Sequence, residues 1–378
     1  MKQISTLYNN NNQEIFGRVT LKPKNLFSRS SYILVSNDQR MFSKGYKGIV
    51  STHKICNKGI TSFQVNSIDV FSEGDVISID LNGDICFLYE IMSTSNVVFA
   101  TARCNHRCIM CPQPPVIQEK DRTPFNLELI KLFDKNSTEI GITGGEPTLI
   151  GDKLFELIRQ IMKSCPQSAI SILSNGVMFA DINYAAKLAA CNHHDLQIDI
   201  PIFSDIAVEH NRIVGAKTFY KTVQGLYNLA QFSQKIGLRI VIHRQTYKRL
   251  PQLADYIYHN FPFVTQVAFM QMETTGLAEK NLKDLWIDPY DYNKELREAV
   301  LLLNDRGITT YIYNAQLCVL PPELRPFAKQ SISEWKDVYL PICEGCSLKN
   351  ECAGIFSTNN GNISTHIHKI ECADSCTE

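Results

Sequence analysis

Three cysteines in one short run are the residues most able to do chemistry in this sequence. Cys104, Cys108 and Cys111 are separated by three and then two residues. Soft thiolates at such gaps can hold one iron–sulfur cluster from a single loop, and three ligands on a four-iron cluster leave one iron open for reaction. A zinc knuckle is the alternative, and it would need a fourth ligand nearby. His106 could supply that ligand, but it lies inside the loop that has to wrap around the metal.

A second motif follows a predicted strand. The apolar run Glu139–Ile142 leads directly into Thr143-Gly144-Gly145-Glu146-Pro147-Thr148. Its two glycines allow the backbone to approach a ligand closely, Glu146 offers a carboxylate, and Pro147 fixes the turn. Taken alone, the motif is equally well explained as a plain turn between a strand and a helix.

The first hundred residues are predicted to be mainly strands. Val76–Asp80 and Ile85–Tyr89 flank Asn82-Gly83, which predicts a hairpin with a type I′ turn, whose two central residues need positive φ. Earlier apolar runs suited to short strands are Tyr32–Val35 and Gly48–Val50. This region carries no recognisable catalytic motif.

From Val97 onward, predicted strands alternate with helices. Apolar residues recur at helical spacing between Leu154 and Met162, behind a possible cap at Asp152, and a further helix is predicted from Asp288-Pro289 to near Gly307. Such alternation predicts a parallel sheet with ligands at the carboxyl ends of its strands, in an open, partial (β/α) barrel. The predicted strands are Val97–Phe99, Glu139–Ile142, Ala169–Leu173, Leu196–Ile200, Leu238–Ile242, Val267–Phe269 and Thr309–Tyr313.

Composition limits the class of protein. With 378 residues and 44% hydrophobic content, the chain can form more than one domain, and its 38 basic and 38 acidic residues favour neither nucleic acid nor a membrane as partner. We expect a cytoplasmic protein, since no segment resembles a signal peptide or a membrane span. In that reducing compartment the 13 cysteines are expected to be metal ligands and scattered thiols rather than disulfides. Cys56, Cys86, Cys165 and Cys191 are predicted to be buried thiols.

The cysteine motif followed by Gly-Gly-Glu-Pro resembles the radical S-adenosylmethionine (SAM) superfamily over residues 97–315. The resemblance implies an α/β fold: a partial (β/α)6 barrel of radical SAM type at 96–314, after a β-rich N-terminal domain at 1–95 and before a small cysteine-rich cluster domain at 315–378. It also implies that a [4Fe–4S] cluster is chelated by the amino and carboxylate groups of SAM. The implied cluster ligands are Cys104, Cys108 and Cys111. Gly144, Gly145 and Glu146 would hold the methionyl amine of SAM through backbone carbonyls and the carboxylate, and Pro147 is a further implied cofactor-binding residue.

The resemblance implies further SAM contacts. Ser174 and Asn175, after the next strand, match a polar position for the SAM ribose or carboxylate, although an Asn-Gly turn explains them equally. Arg212 could pair with the SAM carboxylate or form a surface salt bridge. Met110 occupies a position that is usually aromatic and covers the adenine; a thioether can also pack on a purine. His243 ends a strand near the same rim, where a structural role is the alternative.

The tail contains a second cysteine set. Cys343, Cys346 and Cys352 have Cys-x2-Cys-x5-Cys spacing, which resembles the SPASM and twitch domains that bind auxiliary [4Fe–4S] clusters. Phe356 stands where a two-cluster domain has another cysteine, which favours one auxiliary cluster. Cys318 is the favoured fourth ligand, with Cys372 and Cys376 as alternatives. A structural zinc site is the alternative for the whole set.

At the level of subfamily, the chain is most similar to the C-type radical SAM maturase of the His-Xaa-Ser system. The features that resemble it are the β-rich N-terminus, Pro112-Gln113-Pro114-Pro115 and Ser331-Ile332-Ser333-Glu334-Trp335-Lys336. The implied partners are a precursor peptide, a low-potential electron donor such as flavodoxin or ferredoxin, and a partner maturase. Alternatives are a radical SAM enzyme acting on a small molecule and a non-catalytic metal-binding partner. The N-terminal domain is a candidate for gripping a leader peptide.

Overall fold

The computed structural model describes residues 2–10, 13–56, 59–330, 337–359 and 361–371. The chain forms two compact units, and each unit is built from three separate segments of the sequence. The first consists of Met1–Phe99, Asp121–Ile142 and Asp152–Ile170, and the second of Ala100–Lys120, Thr143–Gly151 and Ser171–Glu378. The domain boundaries expected at 95 and 314 remain a prediction.

The first unit contains a mixed eight-stranded sheet in the order β1-β8-β7-β3-β4-β5-β6-β2. Its central strands β3 to β6 pair in parallel, whereas β1, β2, β7 and β8 pair antiparallel to their neighbours. Ile33, Val50 and Ile77 are fully buried in its core. The strands are β1 (Gln3–Ser5), β2 (Tyr8–Asn9), β3 (Ile15–Thr20), β4 (Tyr32–Val35), β5 (Gly48–Ser51), β6 (Ser62–Gln64), β7 (Val76–Ile79) and β8 (Asp84–Tyr89).

Two predictions for this unit need correction. The hairpin of β7 and β8 is present, but only Gly83 of its central pair has a positive φ, so the turn is not of type I′. Instead, Oδ1 of Asp80 accepts hydrogen bonds from the backbone N–H groups of Asn82 and Asp84, at 2.9 and 2.8 Å. Cys56 is exposed and Cys86 is only partly buried, whereas both were predicted to be buried; Ile55 takes the buried position beside Cys56.

An open, curled parallel sheet carries the second set of strands, in the order β16-β15-β14-β13-β12-β11-β10-β9. This half-barrel confirms the predicted fold class, and each predicted strand is present. The strands are β9 (Ser95–Phe99), β10 (Glu139–Thr143), β11 (Ala169–Leu173), β12 (Leu196–Pro201), β13 (Lys235–Ile242), β14 (Gln266–Gln271), β15 (Thr309–Tyr313) and β16 (Ala328–Lys329). The helices are α1 (Thr123–Ile130), α2 (Lys153–Ser164), α3 (Ile182–Ala189), α4 (Ala207–Val214), α5 (Phe219–Gln231), α6 (Leu250–Asn260), α7 (Leu277–Lys280), α8 (Leu282–Leu285) and α9 (Asn293–Asp305).

The two faces of this sheet differ in chemistry. On β13, Ile236, Leu238 and Ile240 are fully buried on the face that packs against helices such as α5. Gly237, Arg239 and Val241 alternate with them and point to the opposite side, because successive strand residues face opposite ways. We call that opposite side the inner face. Neighbouring strands add Asp199, Gln266 and Met270 to it through the registers Asp199↔Gly237, Gly237↔Gln266 and Val241↔Met270.

Beyond Tyr313 the sheet gains one more short strand, β16, which pairs in parallel with β15, so the sheet does not end where the sequence predicts. β17 (Asp337–Val338) and β18 (Ile355–Phe356) form a small antiparallel pair. Two features singled out from the sequence lie outside the described residues: Ser331–Lys336, and the pair Cys372 and Cys376. Within the described ranges, no helix combines the length and apolar character that crossing a membrane would require.

Candidate cofactor site

The cysteine loop begins beside the Gly-Gly-Glu-Pro turn. The backbone N–H of Gly145 donates to the carbonyl of Thr101 at 2.6 Å, and that of Glu146 donates to the carbonyl of Arg103 at 2.8 Å. A Cβ on Gly144 would lie 2.3 Å from Thr101 O, and one on Gly145 would lie 2.3 Å from Arg103 O. Both glycines are therefore needed so that the two loops can run in contact.

Glu146 holds the next strand end against this turn. Its Oε1 accepts from Thr148 N at 3.0 Å, Thr148 Oγ1 at 2.6 Å and Ser174 Oγ at 2.8 Å, and its Oε2 accepts from Asn175 N at 2.6 Å. Burial raises the pKa of this carboxyl, which is 1% exposed, although the hydrogen bonds act to lower it. Glu146 is thus a structural link between β10 and β11, a role that its sequence motif did not reveal.

Asn175 extends the link to the cysteine loop. Its Nδ2 donates to Oδ1 of Asn105 at 2.6 Å, and Asn105 directly follows Cys104. Its own Oδ1 accepts from Val177 N at 3.0 Å, so an Asn-Gly turn and a contact with the loop coexist. Ser174 is buried and bonded to Glu146. The sequence-predicted residues of the two strand ends are therefore brought together with the first cysteine.

The other side of the loop rests on α4 and on the segment after β14. Arg107 N donates to Val214 O and Ile109 N to Ile213 O, each at 2.9 Å. Gly215 ends α4 with φ 66°, and a Cβ there would approach Arg107 O to 2.9 Å. In the segment after β14, Leu277 N donates to Cys111 O at 2.8 Å. The loop is consequently held by backbone contacts on both flanks.

The three thiols of the loop lie in a shielded environment. The pKa of Cys104 is raised to about 11 and that of Cys108 to about 12, mainly by burial and in part by the neighbouring thiols. Burial also raises the pKa of Cys111. Soft thiols that influence one another from one loop fit the ligand set of an iron–sulfur cluster, and cluster binding would displace their protons. The fit rests on the residue types and their shared loop, because within the described ranges no three His, Cys, Asp or Glu side chains converge closely enough to hold one metal ion.

Two further residues of the loop are anchored in the protein. Nε2 of His106 lies 2.8 Å from Thr218 Oγ1, and burial lowers the pKa of this imidazole to about 4. That contact occupies one of the two ring nitrogens with which His106 could have served as a zinc ligand. Met110 is 4% exposed and packs with apolar residues that include Phe203, Ile213 and Leu285. Its packing anchors the loop, and its contact with adenine remains a prediction.

Arg212 lies on α4, His243 directly follows β13, and Gln245 contacts both of them. Arg212 is exposed, and its Nη1 donates to Oε1 of Gln245 at 2.5 Å. His243 is fully buried, its Nδ1 accepts from Gln245 N at 3.3 Å, and its Nε2 has no hydrogen-bond partner among the described residues. Burial, together with the charge of Arg212, lowers the pKa of His243 to about 4. His243 therefore presents a neutral ring with an unused N–H.

The tail cysteines gather around Cys352. Its sulfur accepts from Leu317 N and from Gly354 N, both at 3.4 Å, and the Gln316 side chain donates to Gly354 O at 2.8 Å. Burial raises the pKa of the adjacent Cys318, and the thiols of Cys352 and Cys343 raise it further. The thiols of Cys343 and Cys346 likewise add to the effect of burial on the pKa of Cys352. These thiols therefore act on one another electrostatically, and the binding of an auxiliary cluster by the four cysteines remains a prediction.

Several supporting residues were not predicted from the sequence. Oε2 of Glu119 accepts from Thr101 Oγ1 and from Ala102 N, both at 2.7 Å, and fixes the start of the cysteine loop. Asn281 donates to Ile109 O at 2.8 Å. These residues belong to no motif, and only the fold brings them to the loop, so no signal in the single sequence identified them.

Comparisons with known proteins agree with this geometry. Residues 98–257 match the family model of the radical SAM superfamily. GTP 3′,8-cyclase of Desulforamulus reducens is 30% identical over 108 residues, which are 27% of this chain and span only 33% of that enzyme. The GTP 3′,8-cyclase of Clostridium botulinum strain Langeland is 21% identical over 259 residues, 66% of this chain and 75% of its own length. The crystal structure of Streptococcus suis SuiB bound to S-adenosylmethionine superposes with a TM-score of 0.50 at 13% identity, covering 65% of this chain and 55% of SuiB. These findings support the superfamily and the half-barrel fold.

Proposed function

We propose that this chain, whose residues 98–257 match the radical SAM superfamily, reductively cleaves S-adenosylmethionine and uses the resulting radical to modify a ribosomally made peptide. The observation that carries the first part is the direct pairing of the cysteine loop with the Gly-Gly-Glu-Pro turn. A loop of three thiols and a glycine turn bonded side by side place a cluster ligand set next to backbone groups that can bind a ligand.

The residues of the chain have separate tasks in this proposal. Cys104, Cys108 and Cys111 hold the cluster, and Gly144 and Gly145 bring the turn against it. When bound, the [4Fe–4S] cluster and SAM together supply a 5′-deoxyadenosyl radical that abstracts hydrogen from the substrate. Glu146 keeps Ser174 and Asn175 at the edge of the same site. An external donor of flavodoxin or ferredoxin type would supply the electron.

Anaerobic reconstitution with iron, sulfide, SAM and dithionite tests the cleavage step. We expect 5′-deoxyadenosine from the wild type and none from Cys104→Ala, Cys108→Ala or Cys111→Ala. Cys56→Ala is a matched control, because it removes an exposed cysteine that belongs to neither set. A filled cluster that yields no 5′-deoxyadenosine in the wild type would contradict an enzymatic role and favour a metal-binding partner.

The proposal of a peptide substrate is supported by the cysteine tail. Cys318, Cys343, Cys346 and Cys352 are proposed to hold one auxiliary [4Fe–4S] cluster, in the manner of the SPASM and twitch domains that the spacing resembles. The contact of the Leu317 backbone with Cys352 supports Cys318 as the fourth ligand. By the resemblance to the His-Xaa-Ser system, the substrate would carry His-Xaa-Ser repeats, and a partner maturase could act with this chain.

Metal analysis tests the auxiliary cluster. We expect Cys343→Ala to lower bound iron and sulfide by about half while 5′-deoxyadenosine formation in dithionite persists, since the first cluster keeps its own ligands. Cys318→Ala should have the same effect as Cys343→Ala. One zinc per chain that is lost in Cys343→Ala, with iron unchanged, would contradict the auxiliary cluster.

A small molecule is the second candidate substrate, because relatives that match this chain are named GTP 3′,8-cyclase. The two candidates are separated by one assay that offers the reconstituted protein either GTP or the repeat peptide encoded beside its gene. A mass change in the peptide supports the maturase. SAM consumption coupled to loss of GTP supports the small-molecule candidate.

A further inference from the structure

Two opposite charges lie close together on the inner face of the half-barrel. Asp199 on β12 pairs in register with Gly237, and Arg239 stands two residues further along β13 on the same face. Asp199 is 8% exposed. A Cβ at position 237 would lie only 2.0 Å from its Oδ1, so a glycine is needed there to leave room for the carboxylate. Protein surrounds the guanidinium of Arg239, yet its side chain keeps partial solvent access, as expected on the wall of a concavity.

In the part of the chain that the structure describes, several hydrogen-bonding groups of Asp199 and Arg239 have no partner. Oδ1 of Asp199 accepts from the side-chain amides of Gln197 and Gln266, at 2.9 and 3.4 Å. Nη2 of Arg239 contacts only the sulfur of Met270, at 3.3 Å. Among the described residues, Oδ2 of Asp199 and the other N–H groups of Arg239 make no hydrogen bond, and the two side chains form no direct ion pair. An unused acceptor and unused donors therefore lie on neighbouring strands of the inner face.

Both residues border the candidate cofactor site. Asp199 O accepts from Ser174 N at 3.2 Å, and Ser174 is bonded to Glu146. Val241, two residues beyond Arg239, packs in the same apolar cluster as Met110, next to the last cysteine of the loop. A group bound between Asp199 and Arg239 would thus lie beside the residues proposed to hold SAM.

We propose that Asp199 and Arg239 bind one backbone amide of the substrate, with Arg239 donating to the carbonyl oxygen and Asp199 accepting from the N–H. A secondary amide is neutral and carries one acceptor and one donor, which matches one free donor group, one free acceptor and a net charge of zero. A phosphate would satisfy Arg239 but would face the carboxylate of Asp199 at close range. The inference rests on the proposed peptide substrate and adds that its recognition is by backbone, independent of side-chain identity at that residue.

An amide-to-ester scan tests the inference. The probe is a synthetic peptide of His-Xaa-Ser repeats and a set of analogues in which one backbone amide at a time is replaced by an ester, which lacks the N–H. We expect one ester position to raise the dissociation constant of the wild type about tenfold, the size expected for a hydrogen bond to a charged group. Asp199→Ala should weaken binding of the all-amide peptide by a similar factor. This variant should bind the all-amide peptide and the sensitive ester analogue with equal affinity.

Arg239→Met should weaken all analogues alike, because the ester keeps its carbonyl. Lys235→Met is the matched control, since it removes an exposed cation from the same strand, and its affinity should equal that of the wild type. Circular dichroism and iron content verify that each variant folds. The ester scan of the wild type tests the inference even if a variant fails to fold. Wild-type affinity in Asp199→Ala and Arg239→Met, or an ester scan without a sensitive position, would overturn the inference while leaving the peptide substrate intact. A wild type that cleaves SAM but binds no peptide would overturn the proposed substrate as well.

Discussion

Replacing Glu146 by glutamine tests whether this carboxylate is the link that closes the candidate site. Both of its oxygens accept from a backbone N–H, Oε1 from Thr148 and Oε2 from Asn175. Glutamine has the same size but offers only one oxygen, so one backbone N–H must lose its acceptor and face a buried NH2 group. Two unsatisfied buried donors at about 1–3 kcal/mol each give a loss of about 2–6 kcal/mol, a large part of the about 5–15 kcal/mol that stabilises a typical protein.

Urea unfolding of the metal-free protein, followed by circular dichroism, measures this loss directly. Glu119→Gln is the matched control, because Glu119 uses only Oε2 for its two bonds and a glutamine oxygen can replace it. We expect that control to change the free energy of unfolding by less than about 1 kcal/mol. A loss below about 1 kcal/mol in Glu146→Gln, equal to that of the control, would refute the proposed role of the two oxygens.

The same variant has a pH signature. Burial raises the pKa of Glu146 in the folded state, so the folded protein binds more protons than the unfolded chain between the usual glutamate range and the raised value. The contribution of this residue to stability is therefore present at low pH and is lost as pH rises through the folded-state pKa. Glu146→Gln should remove that slope, which a series of unfolding curves at pH values rising from the usual glutamate range would detect. An unchanged slope in Glu146→Gln would contradict this assignment.

Two further predictions concern the loop and the buried histidines. Gly145→Ala should abolish cluster loading because its Cβ would meet Arg103 O at 2.3 Å, whereas Cys56→Ala, which changes an exposed residue outside both cysteine sets, should load normally; equal iron content in the two variants would contradict the close approach. Burial lowers the pKa of His210 and of His243 to about 4. Below about pH 6.5 the unfolded chain therefore binds more protons than the folded protein. As the pH falls to about 4, each residue should lower the free energy of unfolding by up to about 3 kcal/mol. Acid unfolding of His210→Gln should be correspondingly shallower, and an identical acid transition would argue against it.

The fold was predictable because its strands are rich in β-branched and aromatic residues. Ala169–Leu173 and Thr309–Tyr313 begin and end as the sequence predicts, and their buried residues alternate with more exposed ones, as the strand period of two requires. The turn at Asn82-Gly83 was predicted with the wrong geometry, because the side chain of Asp80 caps the loop and competes with the type I′ form.

The candidate site was predictable only where motifs lie close together in sequence. The cysteine spacing and the glycine turn are local patterns, so their positions could be inferred from one chain. Glu119, Thr218 and Asn281 support the loop through contacts that only the folded chain creates. The four hydrogen bonds of Glu146 were equally invisible, because two of its partners come from the end of the following strand.

The double-sided attachment of the cysteine loop bears on repair of the protein after damage by oxygen. In small zinc domains the free energy of metal binding offsets the entropy cost of ordering the ligand loop, and the chain unfolds when the metal leaves. Here the backbone bonds from Gly145 and Glu146 on one side, and to Val214 and Ile213 on the other, order the loop without metal. Loss of the cluster should therefore leave an ordered cradle that can be refilled, rather than a chain that must fold again.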